Sequence, residues 1–129
     1  HSGLTGVAEM VYNPPPGGHV LLILDNGTTA MTGQQEHPGT GRDLAHHSTG
    51  KIVFEDVVRA MGIDYVVTLD PMAISEVALD EAIRDALDSG QLAVIVARRP
   101  CILAAPKIRQ YERINIEQQG CCATANTDE

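Results

Sequence analysis

Apolar positions along the chain fall into two rhythms that alternate. Leu4, Val7, Ala8 and Val11 recur at helical spacing, with Ser2 placed to cap the helix and Pro14-Pro15-Pro16-Gly17-Gly18 placed to stop it. His19 to Leu24 follows as a strand. Its near-continuous apolar run Val20-Leu21-Leu22-Ile23-Leu24 suits a central parallel position buried on both faces. A second helix is predicted from Ile52 to Met61, with Val53, Val57, Val58 and Met61 on its inward stripe and Gly62 as its stop. Tyr65 to Leu69 reads as a short strand, Ser75 to Ser89 as a helix closed by Gly90, and Leu92 to Ala97 as a third strand. Helix and strand alternating in this way imply right-handed crossovers. The expected fold is α/β, a three-layer sandwich with a mainly parallel sheet.

Between Asn26 and Gly50 the rhythm disappears, and Gly, Thr, His and Pro dominate. Loops of this length in compact domains carry function or disorder. This one starts where the first strand ends, at Asp25-Asn26-Gly27-Thr28, and the carboxyl ends of strands are where open α/β sheets bind ligands. An Asp-Asn pair there offers side-chain oxygens, and a turn at Gly27 adds a backbone carbonyl, a donor set for a hard cation such as Mg²⁺. Asp-Asn-Gly serves equally well as plain turn chemistry. Beyond Arg98-Arg99-Pro100 apolar density falls, leaving an extended arm at Tyr111 to Ile116 and a polar tail. The division expected is a domain over residues 1–105 and an arm with tail over 106–129.

Composition narrows the partners. The formal net charge of −8 over 129 residues argues against duplex nucleic acid or an anionic membrane surface, so a phosphate ligand has to be held locally by backbone dipoles or a metal. No apolar run is long enough to span a bilayer and no secretory signal stands at the start, so a cytoplasmic setting is expected. The three cysteines, Cys101 with the adjacent Cys121 and Cys122, are read as reduced thiols.

The string Leu24-Asp25-Asn26-Gly27-Thr28-Thr29-Ala30-Met31-Thr32-Gly33-Gln34, with His37-Pro38-Gly39-Thr40-Gly41, closely resembles the thiamine-diphosphate-binding domain in the alpha subunit of indolepyruvate ferredoxin oxidoreductases. More broadly it resembles the 2-oxoacid ferredoxin oxidoreductases. The likeness runs from His1-Ser2-Gly3-Leu4, through Val11-Tyr12-Asn13, to Val94-Ile95-Val96-Ala97-Arg98-Arg99-Pro100-Cys101. It implies a thiamine-diphosphate-binding fold that lacks its upstream strand, because the family's opening Gly-Asp-Gly or Gly-Asp-Ser would precede His1. It also implies that Asn26 is a side-chain Mg²⁺ ligand, that Thr28 gives its backbone carbonyl, and that Asp25 stands as a supporting neighbour. Thr29, Ala30, Met31, Thr32, Gly33 and Gln34 would lie along the cofactor.

The same resemblance implies oxidative decarboxylation of a 2-oxoacid, indolepyruvate or another aryl pyruvate, with ferredoxin accepting electrons and coenzyme A the acyl group. A pyrimidine-binding domain and a second subunit would complete the enzyme, so the chain is expected to be inactive alone. The resembled subunit continues into a region whose cysteines hold iron–sulfur clusters. Gly120-Cys121-Cys122-Ala123 has neither the spacing nor the number of such thiolates, and no cluster is expected in this chain.

Other residues carry weaker signals. His37 is a candidate for proton transfer or substrate contact and equally a loop residue. His46-His47 read as exposed loop, since adjacent side chains seldom converge on one ion. Arg98-Arg99 can attract a phosphate or partner carboxylates, or simply end a strand in solvent, and Cys101 reads as a small buried residue. The competing reading of the whole chain is a non-catalytic α/β module that binds a nucleotide or a partner subunit. No Gly-x-Gly-x-x-Gly stands between a strand and a helix to support a dinucleotide site.

Overall fold

The computed structural model describes residues 3–29 and 34–123, with side chains described as far as residue 116. Contacts divide the chain into two compact units, His1–Asp25 with Val53–Arg99 and Asn26–Ile52 with Pro100–Glu129. None of the described helices is long and apolar enough to cross a membrane.

The first unit is built on three parallel strands, β1 (His19–Asp25), β2 (Val66–Leu69) and β3 (Leu92–Arg98), in the order β1-β3-β2. The strand Ala93-Val94-Ile95-Val96 is apolar on both pleat faces, and all four side chains are fully buried, which gives β3 the centre. β1 was expected to be the strand buried on both faces. It lies instead at an edge of the sheet, and its Leu22 and Leu24 are exposed. The two runs are equally apolar, and hydrophobicity alone does not say which one finds neighbours on both sides.

Alternation along the strands sorts the helices. Val94 and Val96 of β3, with Leu21 and Ile23 of β1, pack against Val7 of α1 (Leu4–Tyr12) and Val58 of α2 (Phe54–Ala60). On the opposite face Ala93 and Ile95 meet Ala86 of α3 (Glu76–Asp88), joined by Val20, Tyr65 and Leu69. Helices on both sides of a parallel sheet make the expected three layers. Each helix lies within a few residues of its predicted range. The Ser75 hydroxyl caps α3 by accepting the Ala78 N–H at 3.2 Å, and Gly62 ends α2 in a left-handed conformation, φ 91°. Ser2, expected to cap α1, lies outside the described residues.

At the carboxyl end of this sheet one guanidinium gathers two carboxylates. The register places Arg98 opposite Asp25; its Nε donates to Asp25 Oδ2 at 2.8 Å. Its two terminal nitrogens reach Glu55 at 2.9 and 3.0 Å, and the Thr68 hydroxyl donates to Glu55 Oε1 at 2.6 Å. Burial pushes the Glu55 carboxyl up, but hydrogen bonds from Arg98 and Thr68 outweigh it and hold its pKa down at about 2. Glu55 and Asp25 in turn raise Arg98 against the smaller opposing effect of its own burial. Arg99 takes a separate partner, Asp70, at 3.0 and 3.1 Å.

Among the described residues of its first half the second unit has little regular structure, as the missing rhythm predicts, apart from antiparallel bridges at Thr29–Gln35 and Arg42–Ser48. Its second half is α4 (Ala105–Ala123). The extended arm expected at Tyr111 to Ile116 is therefore helical, and the helical backbone continues through Gln118 to Ala123. The stripe that explains it is Ala104, Ile108, Tyr111 and Asn115. Ala104 and Ile108 are buried, Tyr111 stacks on His46, and Asn115 bonds the backbone of His46 and Ser48. Pro106 sits in the first turn, where its missing N–H costs nothing.

Two outcomes follow for the sheet unit. Glu55 keeps a lowered pKa in the folded chain, so its contribution is fully present above pH 4.5, the ordinary glutamate value, and is lost as pH falls towards about 2. Urea unfolding followed by circular dichroism should show Glu55→Gln less stable by about 1–2 kcal/mol near neutrality, a figure discounted for the partly exposed Arg98. The gap should close as pH falls through that window; a gap constant with pH contradicts the ion pair. A methyl group at Gly18 would collide with the backbone carbonyl of Leu87. Gly18→Ala should cost about 1–3 kcal/mol, read as a lowered urea midpoint.

Candidate functional site

Asp25 is the last residue of β1 and the last of its unit; buried, with its carboxylate held by Arg98, it anchors the strand end. The next residue opens the loop. Asn26 is exposed; its backbone carbonyl accepts the Cys101 N–H at 2.8 Å, and its side-chain Oδ1 accepts the Thr28 N–H at 3.2 Å. That second bond closes an Asx turn, the bland role foreseen for Asp-Asn-Gly. The turn needs Gly27 at φ 71°. A Cβ there would only touch Ile108 at 3.6 Å, so conformation rather than space demands glycine.

Thr28 is buried, and its hydroxyl donates to the Gln35 carbonyl at 3.1 Å. Thr29 exchanges backbone bonds of 2.9 and 3.2 Å with Gln35, which closes the segment into a loop whose ends are pinned together. The Thr28 carbonyl accepts no hydrogen bond from any described residue. Thus Thr28, Thr29 and Gln34 are brought together, with Asn26 at the turn. Ala30, Met31, Thr32 and Gly33, also expected along a cofactor, lie outside the described residues.

The chemistry of these donors suits part of a Mg²⁺ shell. Asn26 Oδ1 retains a second lone pair, the Thr28 carbonyl takes no described donor, and both are neutral oxygens two residues apart in one turn. Two such ligands leave the remaining positions of an octahedron to phosphate and water. Among the described residues no group of three or more His, Cys, Asp or Glu side chains is placed to hold a metal by itself.

A polar cluster that sequence reasoning did not single out stiffens the rest of the loop. Buried Arg42 donates through Nε to Glu36 Oε1 at 2.9 Å and through Nη2 to the Gly27 carbonyl at 3.4 Å. His46 Nδ1 lies 3.0 Å from the same Glu36 oxygen, and its ring stacks on Tyr111 at 4.1 Å with 6° between planes. Burial pushes the Glu36 carboxyl up, but the bonds from Arg42 and His46 to Oε1 prevail and keep it below its usual range. The spacing that brings these groups together follows no helix or strand period, and so leaves no trace in the sequence pattern.

The histidines diverge. His46 turns to Glu36, while exposed His47 approaches Asp43 at 3.5 Å, so the adjacent pair does not converge. His37 Nδ1 accepts the Gly39 N–H at 3.1 Å, and its carbonyl accepts both the N–H and the hydroxyl of Thr40 at 2.8 Å. Its loop role is plain. Cys101 is a free thiol, half-buried.

Residues 7–97 match the thiamine pyrophosphate enzyme family at its C-terminal TPP-binding domain. The stretch matched includes Asn26, Thr28 and the loop through His37. Among curated proteins, the indolepyruvate oxidoreductase subunit IorA of Methanothermobacter marburgensis is 37% identical over 121 residues, covering 94% of this chain and 19% of its own length. The IorA subunit of Pyrococcus horikoshii is 42% identical over 103 residues, 80% of this chain and 15% of the relative. That of Thermococcus kodakarensis is 42% identical over 114 residues, 88% of this chain and 16% of the relative. The chain thus spans less than a fifth of these relatives. No solved structure matches it. With a parallel three-layer α/β fold and a match across most of its length, the chain belongs to the family of thiamine pyrophosphate enzyme C-terminal TPP-binding domains.

Proposed function

We propose that this chain anchors thiamine diphosphate through Mg²⁺ in an enzyme that oxidatively decarboxylates 2-oxoacids, indolepyruvate or another aryl pyruvate, and passes electrons to ferredoxin. The observation that carries the reading is the Asn26-Gly27-Thr28 turn, in which an exposed amide oxygen and a carbonyl without a described donor follow directly from a strand's carboxyl end. Family membership supplies the cofactor class, and the IorA relatives supply the reaction class.

The bound cofactor contributes the nucleophilic carbon for attack on the 2-oxoacid carbonyl, and the protein's part is to anchor and orient it. Asn26 and the Thr28 carbonyl take the metal, while Thr29 and Gln34, with Ala30 to Gly33 between them, run along the diphosphate. Asp25, held by Arg98, keeps the strand end in place without ligating. His37 is the residue proposed for proton transfer; with Nδ1 accepting from Gly39, Nε2 is the atom that exchanges the proton. A pyrimidine-binding domain and a second subunit complete the enzyme, coenzyme A takes the acyl group, and the setting is cytoplasmic. The iron–sulfur clusters are assigned to the longer subunit and not to this chain.

The test uses the chain joined to the segment that precedes the matching region in the Pyrococcus horikoshii relative. Calorimetry should show Mg²⁺-dependent binding of thiamine diphosphate, and Asn26→Ala should weaken it at least about tenfold, the loss of one metal ligand's interaction. Asn26→Asp, which keeps an oxygen at the same place, should retain the metal dependence. Binding undiminished by Asn26→Ala overturns the metal assignment.

A further inference from the structure

The Glu36 cluster borders a polar cavity of about 120 Å³ that shares Thr28 and Gln34 with the proposed cofactor site but otherwise lies on residues that reading does not use. Thr28, Gln34, Glu36, Arg42, Lys107 and Tyr111 are among its lining residues. Two of them present buried oxygens that no described group satisfies, Gln34 Oε1 and Glu36 Oε2. The Glu36 side chain is 95% buried, since only 5% of it is exposed. Leaving one such acceptor unsatisfied costs about 1–3 kcal/mol, more when it is charged, so two at one cavity call for a partner. Gln34 and His46, both on its wall, are also the non-glycine residues with positive φ among those described, 61° and 68°. Backbone strain of this kind concentrates at ligand sites.

Water alone can supply such donors, and what would displace it is set by the chemistry of the walls. Both orphan atoms are acceptors, so the ligand must bring N–H or O–H donors. A diphosphate brings only acceptors, and the cavity is therefore not its seat. A bare metal cation would satisfy the oxygens but would leave Lys107, on the same wall, without a counter-charge. Arg42 is already engaged by Glu36, by the Gly27 carbonyl and, at 3.8 Å, by Glu112, whereas Lys107 makes no ion pair with any described residue. The space therefore asks for an ammonium facing Glu36 and Gln34 and an anion facing Lys107. An engineered cavity of about 150 Å³ holds a six-atom ring, which sets the size here at about five to seven non-hydrogen atoms.

We propose that this cavity binds a small zwitterionic amino acid, its ammonium between Glu36 Oε2 and Gln34 Oε1 and its carboxylate on Lys107. The occupant would bridge the loop to α4. In doing so it would couple the stability of residues 26–52 to the helix that follows Pro100.

The experiment is calorimetric and thermal-shift titration of the full chain with glycine, L-alanine and L-tryptophan, with methylammonium, acetate and L-lactate as partial mimics. Saturable binding of glycine or L-alanine, with a raised Tm, is expected; tryptophan exceeds the space and should not bind. Methylammonium, acetate and lactate should each bind at least tenfold more weakly than the amino acid. Lys107 is exposed, so Lys107→Met should fold normally, lose amino-acid binding at least tenfold and leave the methylammonium response intact. Gln34→Leu should weaken both. Saturation by none of the small amino acids overturns the proposal, as does equal binding of lactate or amino-acid binding unchanged in Lys107→Met. Thiamine diphosphate binding is scored on Lys107→Met, which lies outside the proposed cofactor residues and should bind it as before; with that variant, failure of either reading leaves the other standing.

Discussion

The Arg98 guanidinium is the tie on which the carboxyl end of the sheet depends. It stands on the central strand, faces Asp25 across the register and reaches Glu55 on α2, so one side chain joins an edge strand, the middle strand and a helix. Two carboxylates would repel each other at this place without it, and a guanidinium would be costly to bury without them. The bidentate geometry with Glu55 matches the planar fork that makes arginine, rather than lysine, fit such a position. What leaves the sheet after Asp25 therefore starts from a fixed point. The Asn26-Gly27-Thr28 turn begins at the next residue.

The loop solves a different problem with the same means. Among the described residues of 26–52 regular hydrogen bonding is confined to two bridges, so other backbone groups there need other partners. Thr28 bonds Gln35, Arg42 reaches back to the Gly27 carbonyl, and Asn115 of α4 serves both His46 and Ser48. The polar network of Glu36, Arg42 and His46 fixes the loop by an ion pair and hydrogen bonds, beside the buried Ala104 and Ile108.

How much of this was legible depends on whether local pattern decided it. Val94 to Val96 and Ala86 announce themselves by alternation and helical period, and the parallel three-layer fold follows from the order of elements. The rank of β1 did not, because position within a sheet is set by which strands pair, not by a strand's own residues. α4 was missed although Ala104, Ile108, Tyr111 and Asn115 fall on one stripe; two of the four are small or polar, which dilutes an apolar signal. At the site, Asn26 and Thr28 stood out through a strand-end motif and a resemblance. Glu36, Arg42 and Lys107 did not, since their meeting depends on a loop path with no period to betray it.

The pairing of β1 with β3 joins residues as far apart as Asp25 and Arg98, and the loop closes on α4 through bonds such as Ser48 to Asn115. Both units are therefore discontinuous in the chain, each opening early and closing late. On a ribosome, the apolar strand Val20 to Leu24 is made well before Leu92 to Arg98 emerge to cover one of its edges, and the loop well before its helix. Contacts of such long sequence separation slow folding and lengthen the time that sticky segments stay exposed. In this architecture neither unit can close until its later segment is made, and a holding chaperone has that stretch of synthesis in which to act.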